Sequence, residues 1–115
     1  MASFFRNVLA SGIGATEQLI MTTGALLPNA NATANTTVIG LSLTNTTENI
    51  VLASIRLDNG PTSAYFVKEV PVPPNQSLRV INGGEKLILA PATEVYMSSS
   101  SAASLDLVLS CVEIV

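Results

Sequence analysis

The chain has 115 residues, of which 48% are hydrophobic and only 11% charged, with a formal net charge of −3, one cysteine and no histidine. One cysteine excludes an internal disulfide, and the missing imidazole excludes Ser/His/Asp and Cys/His catalytic arrangements and the common zinc sites. The five basic residues, Arg6, Arg56, Lys68, Arg79 and Lys86, are scattered singly, which speaks against nucleic acid and against an anionic membrane surface, since both need clustered cations.

A chain of this length is read as one domain over 1–115, with an N-terminal extended arm and loop over 1–35 and a core over 36–115. A domain of this size buries about two-thirds of its unfolded surface, enough for a core without staples. The N-terminus places Arg6 after Phe4 and Phe5 and dilutes the following apolar stretch with Ser11, Gly12 and Gly14, so no cleaved signal is expected. No run of about 20 predominantly apolar residues reads as a spanning helix. Asn-x-Ser/Thr acceptors occur at Asn31, Asn35, Asn45 and Asn75; without a signal they imply nothing about glycosylation.

In chain order, 4–9 reads as an extended edge with Phe4 and Phe5 on opposite faces. A helical turn within 7–16 is weakened by Gly12 and Gly14. A short strand is expected over 17–23, then a loop over 24–35, rich in Gly, Pro and Asn and long enough to be functional. Segment 37–43 alternates, with Ile39, Leu41 and Leu43 on one side and Val38, Gly40 and Ser42 on the other. After a polar turn at 45–49, segment 50–57 returns with Val51, Ala53, Ile55 and Leu57 on one side and Arg56 on the other, so the two read as a hairpin.

Asp58, Gly60 and Pro61 mark a turn. The strand over 64–70 is aromatic and β-branched and is stopped by Pro71, Pro73 and Pro74, which marks an edge or exit. Segments 78–81 and 87–89 flank Asn82-Gly83-Gly84, which predicts a second hairpin, because Asn-Gly suits a tight two-residue turn. A strand over 95–98 and a small-residue turn over 98–104 lead to the last strand, 105–115. That strand is apolar on both faces: Leu105, Leu107, Leu109 and Cys111 on one, Val108, Val112 and Ile114 on the other. It therefore needs cover on both sides. About eight short strands predict an all-β fold, an antiparallel β-sandwich of jelly-roll type.

The search for chemistry is mostly negative. Cys111 alternates with leucines and reads as a buried thiol behaving as a small hydrophobe. Gly12-Ile13-Gly14 lacks the third glycine of a dinucleotide loop, and 82–86 has the wrong spacing for a phosphate loop. Glu85 and Glu94 are not placed as a carboxylate pair, and Asp58 and Asn59 read as a turn rather than a calcium loop. No enzymatic activity, cofactor or metal is expected. Sparse charge instead suits a surface that is buried against partners, because interface cores are depleted in charge. The expected contact residues are Phe4, Phe5, Tyr65, Phe66, Val108, Val112 and Ile114. A carbohydrate- or receptor-binding module is disfavoured by two Tyr and no Trp, and a pilus subunit would call for a signal peptide.

Two stretches, "AYFVKEVPVPPNQSLRVINGGEKLIL" over 64–89 and "TEVYMSSSSAASLDLVLSCVEIV" over 93–115, together with the alternating segment 36–57, resemble small virion structural proteins of tailed bacteriophages, of the cyanophage and marine phage type. The shared pattern is an aromatic strand with a lysine, a Pro-rich exit, a short strand, a Gly-containing turn, a Ser/Ala stretch and a final strand ending near "EIV". The resemblance implies a non-enzymatic β-sandwich located on the virion, a homo-oligomer (trimer or larger ring) bound to other virion proteins. Capsid cement or decoration, neck or tail component are the roles it implies, with a receptor- or carbohydrate-binding tail or fibre module as the alternative. It assigns no individual functional residue.

Overall fold

The computed structural model describes residues 3–24, 33–81 and 86–114. These residues form nine strands: β1 (Ser3–Ile13), β2 (Gln18–Thr22), β3 (Asn35–Asn45), β4 (Val51–Asp58), β5 (Ser63–Val72), β6 (Ser77–Ile81), β7 (Leu87–Leu89), β8 (Glu94–Ser99) and β9 (Leu105–Ile114). Two antiparallel sheets result, one ordered β1-β9-β3-β6 with β7 also on β3, the other β2-β8-β4-β5. Below they are sheet A and sheet B.

β6 and β7 both run antiparallel to β3, β6 against its C-terminal half and β7 against its N-terminal half. They are two parts of one interrupted strand, which brings the count to the eight of a jelly roll. All successive strands lie in opposite sheets except β4 and β5 and the two halves of the interrupted strand. The all-β, antiparallel sandwich expected from the pattern is therefore the observed architecture.

Alternation places one row of each strand inside. Leu105, Leu107, Leu109 and Cys111 of β9 meet Val38, Leu41 and Leu43 of β3, and across from them stand Val51, Ala53 and Ile55 of β4, Val72 of β5 and Met97 of β8. Each buried Val, Leu, Ile or Met side chain among them contributes about 1.5–3 kcal/mol by leaving water.

Several expectations need correction. β3 and β4 are not a hairpin: they belong to different sheets and face each other across the core. The 45–50 connection crosses the sandwich, and buried Asn45 organises it. Asn45 Nδ2 donates to the carbonyls of Asn49 (2.7 Å) and Val72 (3.0 Å), and its Oδ1 accepts from the Thr47 amide (2.9 Å) and hydroxyl (2.7 Å). The same amide is thus unavailable as a glycan acceptor in the folded chain. The 78–89 hairpin is also excluded, because a hairpin reverses direction and β6 and β7 do not; Asn82, Gly83, Gly84 and Glu85 themselves lie outside the described residues. In β3 a register break between Val38 and Gly40 turns Ile39 outward and keeps Val38 inside, reversing the expected faces of those two.

The segment 7–16, where Gly12 and Gly14 already weaken a helical turn, is strand as far as Ile13, because β9 offers β1 a ladder. β1 and β2 are integral strands of the two sheets, and Ile13 and Met21 belong to the core, so the start of the chain is more than an arm. Most of the 24–35 loop lies outside the described residues. The β4–β5 hairpin turns where expected: Asp58 Oδ1 accepts from the Gly60 amide at 2.8 Å and Asn59 Oδ1 from the Thr62 amide at 3.0 Å, with Gly60 at φ 102°.

Candidate interaction surface

Directly opposed residues of antiparallel strands share a face, with Cβ atoms about 4.5–5.5 Å apart. The outer face of sheet A therefore contains two cross-strand rows. One runs Phe5, Val112, Thr37, Ile88 through β1, β9, β3 and β7; the other runs Leu9, Val108, Ser42, Arg79 through β1, β9, β3 and β6. Their apolar members are open to solvent: Phe5 is 80% exposed, Ile88 72%, Leu9 71% and Val108 48%. Ile39, turned out by the break in β3, adds to them, and Val112 and Ile114 are half-buried. An open groove of about 380 Å³ along the β1–β9 seam carries Leu9 and Val108 on its walls and continues the patch. Spanning four strands, the patch measures roughly 14 Å across and roughly 13 Å along the strands.

The outer face of sheet B differs. Arg56 donates through Nε (3.0 Å) and Nη2 (2.7 Å) to the Glu17 carboxylate and through Nη1 to Asp58 (3.3 Å), and its guanidinium lies 4.4 Å from the centroid of the Tyr96 ring. Tyr96 in turn donates its hydroxyl to Glu94 at 3.0 Å. The hydrogen bond from Arg56 holds the Glu17 carboxyl below its ordinary value, while the hydrogen bond to Glu94 raises the Tyr96 phenol. Leu19 is the exposed aliphatic side chain at this face.

Of the expected contact residues, Phe5, Val108, Val112 and Ile114 fall together on the outer face of sheet A. Phe4 does not: it points into the sandwich beside Glu113, with the Arg6 guanidinium 5.1 Å from its ring centroid. Tyr65 and Phe66 lie on β5, in the other sheet. Simple alternation would point them to opposite sides, but both are exposed, because the register passes from Val67 to Tyr65 while β4 advances one residue, leaving Phe66 in a bulge. The Lys68 ammonium covers the Tyr65 ring at 4.4 Å. Leu9, Ile39 and Ile88 escape the sequence reading. Leu9 shares the parity of Phe5, a signal that could have found it; Ile88, between two inward leucines, cannot be separated from a fully buried run.

Inside, Arg6 Nε donates to Glu113 Oε1 at 2.8 Å, and the carboxylate is 2% exposed. Glu113 Oε2, Arg6 Nη2 and the Thr36 hydroxyl beside them have no hydrogen-bond partner among the described residues. Cys111 sits next to this pair, and burial pushes its thiol up to about 11. Among the described residues no three His, Cys, Asp or Glu side chains gather in a way that could hold a metal ion.

No protein-family model matches the chain, and no curated protein sequence matches it. Among solved structures it is similar to one from the endospore appendages of Bacillus, described as a novel family of disulfide-linked pili, with 12% identity, a TM-score of 0.49, and coverage of 96% of this chain and 86% of that one. At that distance the likeness carries no inference about function.

Proposed function

We propose that the protein is a non-enzymatic structural component of a bacteriophage virion, a jelly roll that associates with copies of itself and with a larger shell or tube and stabilises the particle. The observation that carries the assembly reading is the row of aliphatic and aromatic side chains that sheet A presents to water, Phe5, Leu9, Ile39, Ile88 and Val108; sheet B also exposes Leu19, Tyr65 and Phe66, but beside an ion-paired Arg56 and with Lys68 over the Tyr65 ring. Covering one such side chain contributes about 1.5–3 kcal/mol. The patch is smaller than the roughly 800 Å² per partner of a standard interface, so it forms the apolar centre of a contact whose rim is polar. The chain has no histidine to serve as a general base. The virion assignment is supported by the resemblance of 36–115 to phage structural proteins; cement, neck or tail component is the role it favours.

Light scattering over a range of concentration tests the assembly, and addition of purified protein to particles lacking it tests the location. Val112→Asp and Ile88→Asp are expected to lower the mass in solution towards that of the monomer and the uptake by particles at least tenfold while the circular dichroism stays that of the parent. A monomer at every concentration that also fails to bind particles would sink the reading.

A further inference from the structure

Sheet edges offer unpaired backbone groups to other chains, and sandwiches guard them with charge, proline, bulges or shortness. Three of the open edges here are guarded. β5 carries Lys68, Glu69 and Pro71, turns to φ 50° at Glu69 and breaks register twice against β4. β2 has five residues and a register break. The far edge of sheet A is split between β6 and β7, of five and three residues. β1 is different. Over 3–10 it keeps one unbroken register against β9, has no proline, and turns its only charge, Arg6, inward to Glu113. Among the described residues no strand pairs its other side.

We propose that β1 pairs antiparallel with β1 of a second copy of this chain, about a two-fold axis at Asn7. This rests on the assembly reading above and specifies its partner and seam. A two-fold axis normal to the sheet keeps the outer faces on one side, so opposed residues must share a face. Centred on Asn7, Phe5 faces the partner subunit's Leu9, and Leu9 faces the partner subunit's Phe5. The two most exposed apolar side chains of the strand thus cover each other twice. Centring on Arg6 would oppose two like charges and set Phe5 against a polar asparagine. Centring on Val8 would set Phe5 against Ser11. The Asn7 register alone among these three matches apolar to apolar and separates the arginines, and it joins two apolar outer faces into one.

Cysteine trapping tests the register. In this pairing Asn7 stands opposite the partner subunit's Asn7, at a Cα separation of about 4.5–5.5 Å that a disulfide accepts. Under mild oxidation Asn7→Cys is expected to convert almost wholly to a covalent dimer, while Asn75→Cys, exposed in the turn after β5, stays largely monomeric. Native Cys111 is buried and does not compete. Equal cross-linking at both positions, or none at Asn7→Cys, overturns the pairing. Asn7→Lys, which opposes two cations, is expected to weaken the dimer at least tenfold with unchanged circular dichroism; an undiminished dimer also overturns it. Ile88→Asp keeps the two ideas apart, being remote from the seam. If it disrupts assembly while Asn7→Cys fails to cross-link, the pairing falls and the assembly reading stands; if Asn7→Cys cross-links and Ile88→Asp changes nothing, the pairing stands and the contact through the sheet A face falls.

Discussion

Arg6 and Glu113 meet inside the sandwich, the guanidinium reaching in from the edge strand to a carboxylate 107 residues away in sequence. A buried charge without its partner is far costlier than the pair is favourable. Arg6→Met is therefore expected to cost about 3–5 kcal/mol in urea unfolding, and the double variant Arg6→Met/Glu113→Gln to recover most of that loss. A double variant no more stable than the single one would contradict this account.

Asn45 makes four hydrogen bonds, one that joins the end of β3 to Val72 at the end of β5 and three that hold the connection through Thr47 and Asn49. Asn45→Ala strands the Val72 carbonyl within the protein, and each stranded buried group costs about 1–3 kcal/mol. Asn45→Asp is expected to be worse, since it points an acceptor at two carbonyls. Denaturant midpoints order the variants: parent, alanine, aspartate.

Cys111 is expected to resist a thiol reagent at neutral pH in the native protein and to react stoichiometrically in urea. Its folded value, raised from 9.0 to about 11 by burial and by Glu113, also sets a sign. Above pH 9.0 the unfolded thiol gives up a proton that the folded one keeps, so stability is full below that point and falls between 9.0 and about 11. Cys111→Ser, whatever its stability at neutral pH, should show a shallower alkaline slope; an identical slope would mean that the thiol does not contribute.

Glu17 is held below its ordinary 4.5, first by the hydrogen bond from Arg56. A depressed carboxyl stabilises the fold above its unfolded value and loses that contribution as pH falls through the folded one, so the acid limb from this pair lies below 4.5. The pair is exposed and screened, so its effect on stability is small. The sharper readout is the Glu17 carboxyl titration by NMR, which Arg56→Met should move up to the ordinary value.

Much of the fold is legible in the sequence because period two is a local signal. The alternation of β9 names its buried and outer rows in advance, and Asp58, Gly60 and Pro61 mark the β4–β5 hairpin. Pairing is not legible. A buried face looks the same whether the next strand lies beside it or across the core, which is why the pattern suggests hairpins at β3–β4 and over 78–89 where the fold has none. Bulges are equally hidden: the extra residue at Ile39 and at Phe66 changes which side chain meets water without changing the pattern. The apolar face of sheet A is half visible, since alternation and composition point to Phe5, Val108, Val112 and Ile114 but not to Leu9, Ile39 and Ile88.

The order of strands in the two sheets also dictates the order of events in synthesis. Among whole strands, only β4 and β5 are neighbours in both chain and sheet, so only they can zip as soon as they emerge. β1 must wait for β9, the ninth of the nine strands. Until then β1 has no ladder and β3 lacks a flank, and pairings this distant form slowly. Sheet A therefore stays open throughout the synthesis of the eight strands before β9, and the protein should acquire protease resistance late and in a single step.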